Sequence, residues 1–140
     1  MAHWAEWYLE RPWVIGARGP DAFDCWGLIY WIYKHQYDIE LPAYPGVDAK
    51  NLSLVTKMIT AGAEGSDWTQ VDKPVEGCVV AMSKNTRRLH HVGLYLAIDK
   101  GCILHATDLG KVIAQPIQDL TRWGWRRVEF YTHKGMTCQL

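Results

Sequence analysis

Apolar positions along this chain change rhythm near residue 62, from helical spacing to the alternation of strands. From Ala2 to Leu9, Trp4, Trp7 and Tyr8 recur at helical intervals, and Pro12 disfavours the helical region at Arg11, so a short amphipathic opening helix is predicted. Gly16 to Asp21 is dense in turn formers and delivers the chain to Phe23-Asp24-Cys25. From Cys25 to about Tyr37 there is no Pro. Cys25, Leu28, Ile29 and Ile32 share one face of the predicted helix, and Trp26, Tyr30, Tyr33 and Tyr37 form a second stripe. The first face should meet the core; the stripe is either covered by the loop Pro42 to Gly46 or offered to a partner.

Asn51 to Ala61 predicts another helix, with Leu52, Val55, Met58 and Ile59 on one side and Gly62 beyond its end. Strand-type segments follow at Gly77 to Met82, His91 to Ile98, Cys102 to His105, Val112 to Gln115 and Arg127 to Thr132. Helices followed by antiparallel strands imply an α+β domain. The irregular stretch Asp38 to Lys50 is expected at the rim of a site. With 140 residues and no repeat or linker, a single domain over 1–140 is expected.

Composition narrows the function classes. Fifteen basic and fifteen acidic residues cancel, and the longest basic runs are the pairs Arg87-Arg88 and Arg126-Arg127, so a nucleic-acid partner is not expected. No apolar run approaches the roughly twenty residues of a spanning helix, which argues against membrane insertion. Met1 to Arg11 has neither the basic start nor the apolar stretch of a signal peptide, so synthesis and retention in the cytoplasm are expected. The four cysteines, Cys25, Cys78, Cys102 and Cys138, have no CxxC pairing and are expected to be free thiols. Eight Trp and seven Tyr against two Phe weight the chain towards amphipathic aromatics, which suit interfaces as well as cores.

Candidate chemistry centres on Cys25. It sits where a Gly-rich loop becomes a helix, so unpaired backbone N–H groups and the positive helix end should point at its sulfur, lower the thiol pKa and hold an oxyanion. His91 opens the strand His91-Val92-Gly93-Leu94-Tyr95, with His91, Gly93 and Tyr95 on one face and His90 on the other; Gly93 should leave room for a close approach beside His91. His105 closes the next strand, and the turn at Asp99-Lys100-Gly101 predicts a hairpin that brings His105 beside His91. A cysteine, a base and a third polar group that orients the base form a nucleophilic triad. Zinc is the competing use of Cys25, His90, His91, Cys102 and His105, but neither short-range ligand pairs nor HExxH is present, so no metal or cofactor is expected. A serine nucleophile has no GxSxG elbow to sit on.

Gly19-Pro20-Asp21-Ala22-Phe23-Asp24-Cys25-Trp26-Gly27-Leu28 resembles the Phe-Asp-Cys-Ser-Gly-Leu block of NlpC-like cysteine peptidases. Pro74 to Val80 is similar to that family's Pro-Gly-Asp-Val strand, His91-Val92-Gly93-Leu94-Tyr95 to its His-Val-Gly-Ile-Tyr strand, and Leu104-His105-Ala106 to its third-residue block, with order and spacing kept. The resemblance implies a papain-like fold with N-terminal helices packed on an antiparallel sheet. It makes Cys25 the nucleophile, His91 the base and then acid, and His105 the orienting residue, cutting bacterial cell-wall peptides, often after D-glutamate, through a thioester. Trp13, Asp24 and Trp26 fall at its oxyanion and substrate-binding positions. Trp26 in place of the usual Ser, with Arg11-Pro12-Trp13 and Arg18-Gly19-Pro20, resembles the phage-tail branch typified by the C-terminal domain of tail assembly protein K. Trp13 stands where many members have Tyr, and Cys78 replaces the strand's usual Asp.

That branch pairs the domain with a preceding metalloprotease-like one, whose His-rich signature is absent here, so the peptidase half alone is expected. The expected setting is a phage or prophage tail tip, made in the bacterial cytoplasm, carried in the virion with other tail-tip proteins, and acting at the host wall. Two alternatives stay open: a structural tail-tip component with an idle or masked triad, and an acyl- or thiol-transfer enzyme sharing the nucleophile.

Overall fold

A computed structural model of the chain describes residues 3–41, 67–84, 89, 91–107 and 110–137. The predicted helix Asn51 to Ala61, the loop Pro42 to Gly46, His90 and Cys138 lie outside the described residues. The principal helix, α1, spans Cys25–Gln36. Six strands follow: β1 Trp68–Val71, β2 Val79–Ser83, β3 His91–Leu96, β4 Cys102–Ala106, β5 Val112–Pro116 and β6 Arg127–His133. They form one sheet in the order β1-β6-β2-β3-β4-β5, every recorded pairing antiparallel. A short helix, α2, at Lys134–Thr137 ends the described chain. The architecture is the α+β, papain-like arrangement that the sequence predicts.

Helix α1 starts sharply because Asp24 caps it. Its extended backbone precedes the first turn, and its Oδ1 accepts the Gly27 N–H at 2.7 Å. At the other end, Lys34 and His35 suit the negative end of the helix dipole. Leu28, Ile29 and Ile32 are fully buried against Val79, Ala81, Val92, Leu94, Leu104 and Ala106, alternate residues of the central strands. The aromatic stripe is largely covered within the chain: Trp26 and Tyr33 are buried, Tyr30 and Tyr37 half-buried, and the Tyr33 hydroxyl donates to the Gly77 carbonyl at 2.6 Å.

The opposite sheet face carries a second core of Val80, Met82, Ile103, Leu120 and Trp125, roofed by the segment between β5 and β6. This is why β2 is buried at all five positions rather than at alternate ones. The β3–β4 hairpin turns through Asp99 and Lys100, both with positive φ, and Gly101.

The opening segment departs from expectation. Only Trp4–Trp7 is helical, a single 3₁₀ turn capped by His3 Nδ1, which accepts the Ala5 N–H at 3.1 Å. Tertiary pairing ends it: the Glu10 N–H donates to the Val112 carbonyl at 3.1 Å and the Val112 N–H to the Arg11 carbonyl at 2.9 Å, drawing residues 10–13 alongside the start of β5. Strand β1 was not foreseen. It is a four-residue edge strand without clean alternation, held by pairing with β6. Among the described residues no helix is long and apolar enough to cross a membrane.

Candidate active site

Cys25 is the first residue of α1 and only 6% exposed, packed in the core between helix and sheet. The loop before it is tied to the helix start. Asp24 accepts the Gly16 N–H at 3.0 Å and two contacts of 2.8 Å from Arg18 Nη1, one to each oxygen, while its own N–H donates to the Ala17 carbonyl at 3.0 Å. Gly27 is required by the same crossing, since a Cβ there would overlap the Ala17 carbonyl oxygen. Asp24 is therefore engaged on both oxygens as a cap and anchor of the loop.

The sulfur meets strand β3 at its backbone. Tyr95 donates its N–H towards the β2 side, to Cys78 at 2.9 Å, so by alternation the Val92 N–H points towards β4. The β3–β4 register ends at the pair Leu94 and Leu104, and the Val92 N–H is instead directed at the Cys25 sulfur, as are those of Trp26 and Cys25 itself. These three donors lower the thiol pKa. Burial, reinforced by the neighbouring Asp24 carboxylate, outweighs them and pushes the Cys25 thiol up to about 12. The depressed pKa expected at a helix start is corrected accordingly: desolvation of the thiolate exceeds what the helix end supplies.

His91 and His105 stand together on the face opposite α1. Both are buried, with His91 Nε2 and His105 Nδ1 2.8 Å apart, and His105 Nε2 lies 3.1 Å from Gln115 Oε1. An amide oxygen only accepts, so this arrangement gives His105 its proton on Nε2 and leaves Nδ1 as an acceptor. His91 then donates from Nε2, and its own Nδ1 carries the lone pair that a base needs. Burial holds His105 near a pKa of about 4, partly opposed by Gln115, so it stays neutral at pH 7.

The space at Gly93 is used by β4: a Cβ there would stand 2.7 Å from Ile103 Cγ2 and 3.0 Å from His105 Cβ. Absence of a side chain at Gly93 thus lets His105 close on His91. Trp125 completes this side, its ring nearly parallel to His91 at 16° with centroids 5.0 Å apart. Such a cover keeps water from the imidazole pair and strengthens its hydrogen bond.

The predicted residues are brought to one end of β3, with Cys25 on the helix side and the histidines on the other. Trp26 is buried and faces the sulfur with its backbone N–H. Trp13 lies on the adjoining strap, bridged to Phe23 and donating its N–H to the Gly110 carbonyl at 2.9 Å. Cys78 is buried, with its thiol pushed up to about 11 by desolvation. Cys102, half-buried on β4, is also shifted upwards by burial. No cluster of potential metal ligands occurs among the described residues.

Gln115 and Trp125 were not singled out from sequence. For Gln115 a signal existed: the register pairs Ile103 with Gln115 and His105 with Ile113, putting Gln115 diagonally beside His105 on the same face. Trp125 lies in an irregular segment, where no periodicity points to it.

The family model for the NlpC/P60 family matches residues 10–130. The fold is similar to the crystal structure of the NlpC/p60 domain of peptidoglycan hydrolase SagA, at a TM-score of 0.58 and 18% identity, covering 90% of this chain and 91% of that one. No curated protein matches the chain in sequence.

Proposed function

Because the chain belongs to the NlpC/P60 family, we propose that it is a cysteine peptidase of bacterial cell-wall peptides in which Cys25 attacks, His91 moves the proton and His105 holds His91 in its working tautomer. The observation that carries this reading is the hydrogen-bonded chain from Gln115 through His105 to His91 at the end of β3 that Cys25 also reaches; with Gln115 Oε1 accepting from His105, His91 Nδ1 is the nitrogen proposed to take the proton. The similar SagA domain, by its description, belongs to a peptidoglycan hydrolase.

In the proposed reaction the Cys25 proton passes to His91 Nδ1 as the sulfur adds to the amide carbonyl carbon. The N–H groups of Cys25 and Trp26, which are directed at the sulfur, are proposed to receive the developing oxyanion once the sulfur has bonded to carbon. Collapse breaks the C–N bond, His91 returns its proton to the leaving amine, and a thioester remains. Water, deprotonated by His91, cleaves the thioester to a carboxylic acid and restores the thiol. Because burial raises the thiol pKa, the proton is proposed to leave during attack rather than beforehand. Trp13 and Trp26 are proposed to border the peptide-binding side of this centre.

The setting proposed is a phage or prophage tail tip acting at the host wall, on the strength of Trp13 and of Trp26 where most family members carry Ser. The test is Cys25→Ala: wall-peptide hydrolysis should vanish while circular dichroism and melting are retained, and unchanged hydrolysis would refute the assignment. A second reading, a tail-tip component with a masked triad, is favoured by the burial of Cys25 and its raised thiol pKa. Introducing Cys25→Ala into the phage and scoring assembly separately from infection distinguishes the two, since normal infectivity supports the structural role.

A further inference from the structure

On the face of the sheet away from α1 is a cavity of about 150 Å³ walled by His105, Thr107, Ile113, Gln115, Trp123 and Trp125, with Lys84 also lining it. The described lining contains no acidic side chain. Gln115 is 3% exposed, and its Oε1 is occupied by His105, yet its Nε2 is a buried donor with no protein partner among the described residues. A buried amide N–H₂ without an acceptor costs about 1–3 kcal/mol, so such a group calls for something to receive it. Lys84 lies with Nζ 5.1 Å from the Trp125 ring centroid, and Trp123 is half exposed despite its size. A buried neutral donor, a cation and two indoles describe a receptor for a negatively charged acceptor on a small apolar body.

We propose that this cavity is a binding site for a small carboxylate, free or as the end of a short peptide, received by Gln115 Nε2 and Lys84 Nζ and flanked by Trp123 and Trp125. Its volume, below that of an ordinary drug-sized pocket of about 300–1,000 Å³, suits a fragment of one residue. The site adjoins the proposed catalytic centre through His105, one of its walls, and does not include the thiol, which packs on the α1 side of the sheet. It is nevertheless coupled to the histidines. An acceptor on Nε2 holds the Gln115 amide with its oxygen towards His105, the orientation that puts the lone pair on His91 Nδ1; the reversed amide would exchange donors and acceptors along the relay.

Titration of the whole ¹⁵N-labelled protein with propionate, alanyl-alanine and the neutral control propionamide tests this directly, followed through the Gln115 side-chain N–H₂ and the Trp123 and Trp125 indole N–H signals. Saturable shifts with propionate or alanyl-alanine, at least tenfold weaker binding of propionamide, and similar weakening in Lys84→Met are expected. The stronger of the two carboxylates identifies a free acid or a peptide end. Lys84 is exposed, so its replacement leaves the fold intact, and Trp123→Ala supplies a second variant expected to weaken binding. Shifts that do not saturate, that are equal for propionamide, or that persist in Lys84→Met would overturn the proposal. The assay reads no hydrolysis, so its outcome is independent of whether the chain is a peptidase.

Discussion

Alkylation of Cys25 should be slow at neutral pH, and the structure sets how slow. An ordinary thiol has a pKa of 9.0, while burial beside Asp24 pushes this one up to about 12. Only the thiolate reacts, so at pH 7.4 the reactive fraction falls by about a thousandfold. A more basic thiolate is also a better nucleophile, and a Brønsted slope near 0.45 over the same interval returns about 20-fold. The net expectation is iodoacetamide labelling about 50-fold slower than that of the same cysteine in urea-unfolded protein, before any further loss from steric burial. Peptide mapping by mass spectrometry separates the sites: half-buried Cys102 should label before Cys25 and before buried Cys78, held near 11. The rate at Cys25 should climb through the alkaline range up to the limit of folding. A labelling midpoint near pH 7 at Cys25 would refute the reasoning, because it would mean that an imidazolium already holds the sulfur as thiolate.

Three further outcomes follow from the same geometry. His105 is held near a pKa of about 4 against an ordinary 6.5, so its neutral form contributes stability that is present above pH 6.5 and lost as pH falls through 4, about 3 kcal/mol in all. Denaturant unfolding at both pH values checks this, and a His105→Gln variant with the same acid slope as the parent would contradict it. Gly27→Ala gains up to about 1 kcal/mol of helix propensity but overlaps the Ala17 carbonyl, so a net loss of about 2 kcal/mol and a Tm about 5–10 °C lower are expected; an unchanged or higher Tm would show that the loop gives way freely. Trp125→Ala uncovers the imidazole pair, so the His105 titration followed by NMR should move up towards 6.5, with a stability loss of about 3 kcal/mol; a titration left near 4 would remove Trp125 from any role in shielding.

What could be read from the sequence was local, and what could not was set by tertiary packing. The turn formers from Gly16 to Asp21, giving way to a Pro-free apolar run from Cys25, mark the start of α1, and the Asp24 cap that the structure places there is a property of those few residues. The alternation in His91 to Leu96 and the turn at Asp99 to Gly101 define the β3–β4 hairpin, and with it the approach of His105 to His91. Trp4 to Leu9 misled because helical spacing there is real but short, and pairing of residues 10–12 with β5 decides the backbone. Strand β1 carries almost no periodic signal, since an edge strand of four residues draws its order from β6. The thiol is the sharpest case. Its position at a helix start was legible, but its depth was not, because burial depends on how the core shared by helix and sheet, to which Phe23, Leu28 and Val92 also belong, packs together.

Depth and placement together constrain the chemistry. Cys25 packs on the α1 side of the sheet, while strand alternation and Trp125 keep His91 and His105 on the other, so the groups converge only at the first residues of β3. There the ladder with β4 has ended, and the Val92 N–H that would have continued it is directed at sulfur. The same interruption serves both halves: it gives the sulfur a donor, and with Gly93 lacking a side chain it lets His105 close on His91. Continuing the ladder past Leu94 would take the donor from the sulfur and refill the end of the strand with backbone pairing. The proposed active centre thus coincides with a local failure of sheet pairing beside the α1 start, which ties its geometry to Asp24, Arg18 and Gly27 as well as to the histidines.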